Sequence, residues 1–435
     1  MASINDLINK ISDFKCVIDN DEIVFPGILQ EKSGNIIMNA KFPMEQFRKI
    51  KMNDEIVILG NVSGKKITLI GCRIISAFCP FGDNDNIFIY ATPSEIIIGG
   101  SFSSIPMVKR IVISTSDLNY MFSEESPLEP NIAISKENPS VLNYTFPKPI
   151  IAKDKYGEIQ IFQSFGSHWT VDFCNHNIIS IIEYSFTTSL SIMDAVPKVS
   201  AARSLFSFFG NGYISFGDIT FKIDNDENVY GLWLNYKEDV PVVNEPFLIQ
   251  TSAFESEFQK IWDAWLIIYE SANPIPTLFY EIVCNRSTRI NGFLNLSQAI
   301  EVYSNVFRYD DAMKLAIKNG HSEKRKEIPL KYIYQDILTE YNCALELIES
   351  NIVDYAQGLA DIRNYYTHYN LDRYVEPTYA ELFSASRILR FVLLAIVYTK
   401  VGINLDFILE CKKRNIFSGF DNDIEIILKY SKKKK

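Results

Sequence analysis

At 435 residues the chain is long enough for two or three domains with cores of their own. Hydrophobic residues at 47% and charged residues at 22% are ordinary for a soluble globular protein, and no long low-complexity tract interrupts the sequence. The net charge of −10 argues at first against a nucleic-acid partner, but it is uneven. Residues 1–250 hold 20 Lys+Arg against 29 Asp+Glu, giving −9, whereas residues 251–435 hold 23 against 24, giving −1. A local basic surface is therefore open to the second part, and a broad grip on phosphate is not expected of the first.

The first twenty residues mix Asp, Asn and Lys with apolar residues and do not read as a signal peptide. The longest apolar run, Phe391 to Tyr398, falls far short of the roughly 20 residues a membrane span needs and reads as a buried helix. Seven scattered cysteines without a CxxC pair suit reduced thiols in a cytoplasm rather than a disulfide framework.

In chain order, residues 1–245 read as β-rich, a sandwich or distorted barrel. Glu22–Leu29 and Asn35–Phe42 flank the turn-like Glu31–Gly34, and Glu55–Leu59 and Lys66–Ile70 flank Asn61–Gly64, two hairpin signatures. Further strands are expected at Asn86–Ala91, Ser94–Ile98, Val108–Ser114, Glu158–Phe162, Tyr213–Phe216, Asp218–Ile223 and Val229–Leu234. Strands do not alternate with long helices, so a parallel α/β sheet is not expected.

The pattern changes after Val240–Pro246. Ser252 with Glu255 forms a capping-box pattern, and Phe254, Phe258, Ile261, Trp265 and Ile268 follow at helical spacing until Asn273–Pro276. Helices are expected at Leu296–Phe307, Asp311–Lys318, Leu330–Glu349, Val353–Thr367, Tyr379–Lys400, Leu405–Lys412 and Asp423–Tyr430. Residues 246–435 thus read as an all-α bundle, and the chain as α+β. The charged link His321–Glu327 and the tail Lys432–Lys435 read as solvated runs with some capacity for RNA.

On the helix ending near residue 368, Ile352, Tyr355, Leu359, Ile362 and Tyr366 form the apolar stripe. Arg363, Asn364 and His368 lie off it. Arginine is a permanent fork for phosphate, and histidine moves protons near neutral pH. At about 100° per residue, Arg363 and His368 stand about 140° apart on a continuous helix. Either the helix breaks near Tyr366–Asn370 or the site combines two chains, and both together are expected. The plainer alternative is an Arg and a His at a helix end pairing with backbone carbonyls.

An Arg-Asn-x-x-x-His run on a helix of an all-α domain resembles the HEPN superfamily signature. Leu359–Tyr369 is similar to the signature of ApeA-like HEPN proteins, Gly292–Tyr303 resembles a second segment of that group, and Phe25–Leu29 is similar to part of the ApeA N-terminal domain. The resemblance implies an anti-phage protein acting by abortive infection. It implies a metal-independent endoribonuclease that works as a homodimer through the HEPN domain, held in check by the other half until a phage-derived trigger arrives. Arg363, Asn364 and His368 match the signature and are the implied catalytic residues. RNA, such as tRNA, is the implied substrate, with no cofactor. A non-catalytic HEPN-type module binding RNA or protein is the alternative.

Tyr365 and Tyr369 are candidates to stack on bases, while Trp262 and Trp265 read as packing residues. His168, Cys174 and His176 offer only three zinc ligands at odd spacing, so no metal is expected. Asp83–Asn86 and Asp224–Asn228 read as turns, lacking the calcium-loop pattern. Gly210–Gly212 lacks the frame of a nucleotide loop.

Overall fold

Strands in the first half carry the period-two pattern of sheets with one face in a core. The computed structural model describes residues 4–18, 21–32, 35–50, 56–79, 85–122, 146–169, 174–215, 217–234, 248–284, 288–368, 374–414 and 417–433. The chain folds as two units, each packed mainly on itself. One comprises Met1–Asn119, Thr145–Ala202 and Ser215–Pro241, the other Tyr120–Tyr144, Arg203–Ile214 and Val242–Lys435.

The first unit holds β1 (Ile11–Ile18), β2 (Asp21–Lys32), β3 (Asn35–Pro43), β4 (Ile56–Val62), β5 (Lys65–Phe78), β6 (Asn86–Thr92) and β7 (Glu95–Ile98). It continues with β8 (Met107–Thr115), β9 (Ile150–Lys153), β10 (Gly157–Trp169), β11 (Cys174–Ser191), β12 (Asp218–Ile223) and β13 (Tyr230–Leu234). Their order is β4-β1-β2-β3-β6-β5-β7-β13-β12-β8-β11-β10-β9, and an added β4–β5 pairing closes the first six into a barrel. All the strand pairs are antiparallel.

Both expected hairpins form. The β2–β3 pair runs from Gly27 opposite Ala40 to Lys32 opposite Asn35. The β4–β5 pair closes on Ser63 and Gly64, both at positive φ (55° and 79°), the geometry a two-residue hairpin requires. In β2 every second residue from Ile23 to Leu29 is buried. Phe14, Phe25 and Phe42 meet inside the barrel, with Phe25 and Phe42 centroids 4.8 Å apart. Closure removes the free edges an open sheet would carry. Residues 213–215, expected as a strand, are irregular. Asp224–Asn228 is a turn, with Asp226 accepting from the Asn228 amide at 2.8 Å. Asp83 lies outside the described residues, as do the side chains of His168, Cys174 and His176.

Helices α1 (Met44–Phe47) and α2 (Ile192–Gly210) interrupt the strands. The Ser191 hydroxyl accepts from the Asp194 amide at 3.1 Å and caps α2. Residues 203–210 of α2 count with the helical unit. Within that unit Phe206 stacks on Phe258 and Phe208 on Phe279, with centroids 6.2 and 4.0 Å apart.

The helical unit continues with α3 (Phe258–Ser271), α4 (Pro274–Val283), α5 (Arg289–Phe307), α6 (Tyr309–Lys318), α7 (Leu330–Glu340) and α8 (Asn342–Leu345). It ends with α9 (Ile352–His368), α10 (Tyr379–Val401), α11 (Leu405–Lys413) and α12 (Phe420–Ser431). The fold is α+β, as the sequence predicts. Two details differ. Ser252 caps nothing, because residues 251–257 form two 3-10 turns and the helix starts only at Phe258. The helix expected over Leu330–Glu349 ends at Glu340. After α8 the chain turns through Glu346 at φ 55°, and the Asn342 side chain accepts from the Leu347 amide at 2.7 Å.

α10 is the central helix. It opens on a Thr378–Glu381 capping box and is buried on all sides from Phe391 to Tyr398. Trp262 and Trp265 are also fully buried. Among the described residues no helix is long and apolar enough to cross a membrane.

α9 packs against both α7 and α12. At Gly358 a Cβ would meet Ile427 of α12, its Cγ2 at 3.0 Å and its carbonyl oxygen at 3.1 Å. A backbone atom cannot swing aside as a side chain can. Gly358→Val is therefore expected to destabilise the protein by about 1–3 kcal/mol through overpacking. Urea unfolding beside the wild type measures it.

Candidate functional site

The end of α9 forms one wall of an open cleft of about 670 Å³. Arg363, Asn364 and His368 all line it, facing Glu301 and Asn305 of α5, residues 327–330 and Ile333 at the start of α7, and Tyr374. α9 runs through His368, and Tyr369 and Asn370, the last residues of the stretch near which a break is expected, lie outside the described residues. The three residues still share one cleft of one chain. Asn364 and His368 are a helical i, i+4 pair on the same side. The long Arg363 side chain spans the remaining arc.

What draws Arg363 there is a carboxylate. Its Nη2 lies 3.1 Å from Glu301 Oε1 and 3.3 Å from Oε2, and each side chain keeps only about a quarter of its surface exposed (25% and 24%). A guanidinium this far removed from water needs such a partner. The plainer reading, pairing with backbone carbonyls, therefore does not describe Arg363. Its Nε and Nη1 make no hydrogen bond among the described residues. His368 is exposed and likewise makes none among the described residues.

Glu301 is itself held. The Ser297 hydroxyl, one turn earlier on α5, donates to Glu301 Oε1 at 3.1 Å. The Tyr334 hydroxyl of α7 donates to Ser297 Oγ at 2.7 Å. Ser297 and Tyr334 are buried, and burial pushes the Tyr334 phenol well above its ordinary pKa, so it remains a donor throughout the physiological range.

The tyrosines change places relative to the sequence reading. Tyr365, expected to present a face to a base, is only 6% exposed and meets the Tyr366 ring edge-on. Tyr366, expected in the core, is half-buried. Packing on two sides, by α7 and α12, widens the buried arc of α9 and takes in Tyr365. Tyr369 lies outside the described residues. Tyr374, which the sequence analysis does not single out, lines the cleft.

Residues 13–265, more than half of the chain, match the family described as ApeA N-terminal domain 1, and residues 294–407 match Apea-like HEPN. The chain is an ApeA-type HEPN protein. No curated protein and no solved structure matches it. The HEPN match takes in the whole cleft constellation of Glu301, Arg363, Asn364 and His368. Glu301 and Ser297 sit in the ApeA-like segment Gly292–Tyr303, and their i, i+4 spacing was legible. Their link to Arg363, 62 residues away, was not.

A second ion pair fixes the cleft walls of this HEPN unit. Arg308, just after α5, grips Asp336 of α7 in a two-pronged contact at 2.6 and 2.9 Å, with Glu340 at 3.2 Å. The Arg308 and Asp336 side chains are 15% and 10% exposed. Truncating one partner leaves the other charge buried alone. Arg308→Ala is expected to cost about 3–5 kcal/mol, read as a lowered urea midpoint.

Proposed function

We propose that this chain is a metal-independent endoribonuclease of anti-phage defence, using Arg363, Asn364 and His368 and governed by its β-rich half. The reading rests above all on one observation: the motif residues line a single cleft in which Arg363 is anchored through one nitrogen, while its other two make no hydrogen bond among the described residues. Membership of the ApeA-type HEPN family supports it.

RNA carries its own nucleophile. His368 takes the proton of a ribose 2′-hydroxyl as that oxygen attacks the adjacent phosphorus. Arg363 stabilises the charge that grows on the phosphate oxygens, and Asn364 orients the reacting groups by hydrogen bonding. The new bond joins phosphorus to the 2′ oxygen, and the bond to the 5′ oxygen breaks. In a symmetric homodimer a second copy of the motif supplies the imidazolium that protonates the leaving 5′ oxygen. The products are a 2′,3′-cyclic phosphate and a free 5′-hydroxyl. DNA lacks the hydroxyl and is inert to this route.

Purified protein in EDTA is expected to cut cellular RNA to fragments ending in 2′,3′-cyclic phosphate and to leave DNA intact. Arg363→Ala and His368→Ala are each expected to lower the rate by about 10²-fold or more. Addition of a phage-infected lysate tests whether a trigger is required. A His368→Ala protein that remains folded, dimeric and fully toxic to its host would instead identify a binding module.

A further inference from the structure

The cleft contains a charge the proposed reaction does not use. Glu301 is an anion in a site meant for a polyanion, and a carboxylate there repels phosphate unless it serves some other end. Its contacts indicate what that end is. Among the described residues the guanidinium hydrogen-bonds it through Nη2, and Nε and Nη1 make no hydrogen bond there and remain for a substrate oxygen. The hydrogen bonds behind it run in one direction, from the Tyr334 phenol to Ser297 and from Ser297 to Glu301. The donor at the start of this chain is fully buried on α7, so the carboxylate is oriented from the core outward.

We propose that Tyr334, Ser297 and Glu301 form a positioning relay that fixes the rotation of the Arg363 guanidinium, so that its open N–H groups meet the phosphate as charge develops on it. The relay deepens the ribonuclease reading and rests on it. None of the three residues touches the reacting atoms. They limit the orientations of the one cation that does, and a misplacement of about 1 Å is enough to cost roughly a hundredfold in rate. An arginine swinging freely would bind phosphate in the ground state almost as well, so the relay acts on turnover more than on affinity.

The test is a cleavage assay on full-length protein with three variants. Glu301→Ala is expected to lower kcat by about a hundredfold and Tyr334→Phe by about tenfold. KM is expected to change less than threefold. Glu301→Gln, which keeps an acceptor for Nη2, is expected to recover most of the loss. Tyr334→Phe removes a single oxygen from the core, so it separates orientation from folding. Wild-type turnover in Glu301→Ala would overturn the relay. So would increased turnover, which would make Glu301 a competitor of phosphate.

A second readout does not depend on catalysis. With isotope-labelled arginine, the Arg363 Nε–H resonance is expected to be sharp in the wild type and broadened in Tyr334→Phe and Glu301→Ala. An unchanged resonance in both variants would overturn the relay even if no RNA is cleaved. A wild type that cleaves no RNA with or without infected lysate, yet shows this broadening, would sink the ribonuclease reading and leave the relay standing.

Discussion

A guanidinium at a cleft wall must have an acceptor, because a charge withdrawn from water without one is costly. In this chain the requirement falls on Arg363, and Glu301 meets it across 62 residues of sequence. The rest of the site follows from that contact. It ties α9 to α5, while the Arg308–Asp336 pair ties the end of α5 to α7. Three helices whose apolar faces would tolerate some sliding are thus held in register by directional contacts. The apolar stripe of α9 supplies the burial, and the polar pairs supply the orientation.

Local signals carried much of the fold. The β2–β3 and β4–β5 hairpins are legible because short turn-forming runs separate alternating segments, and α10 because the apolar run Phe391–Tyr398 is too short for a membrane span and fits a buried helix. β11 is long, and the sequence analysis does not place a strand there. Its pattern is broken at one end, where Ser180 is buried and donates to Asn119 at 2.7 Å while the neighbouring Ile181 is only half-buried. From Ile182 to Phe186, buried Ile182, Tyr184 and Phe186 alternate with half-buried Glu183 and Ser185, so that part of the strand is legible in the sequence.

The candidate site was legible as a short motif but not as geometry. Arg363, Asn364 and His368 could be named from spacing and resemblance, and their separation of about 140° around a helix follows from its pitch. That an arc of this width still borders one cleft depends on α5 and on the start of α7, which no local pattern places. The exchange of roles between Tyr365 and Tyr366 has the same origin. A helix packed on two sides buries a wider arc than a single stripe implies, and only tertiary packing fixes where that arc ends.

The composition of the chain changes near residue 245, yet its packing does not divide there. The second part of α2 lies well before that point and packs Phe206 and Phe208 among the aromatic rings of the helical unit, while Arg390 grips Asn211 at 2.7 and 2.8 Å and Tyr398 donates to the Phe208 carbonyl at 2.6 Å. A fragment beginning at residue 246 would therefore be a bundle with its own wedge pulled out. Phe258, Phe279 and Trp265 would lose ring partners, and Arg390 and Tyr398 their acceptors. The helical half is in this sense not a detachable cassette.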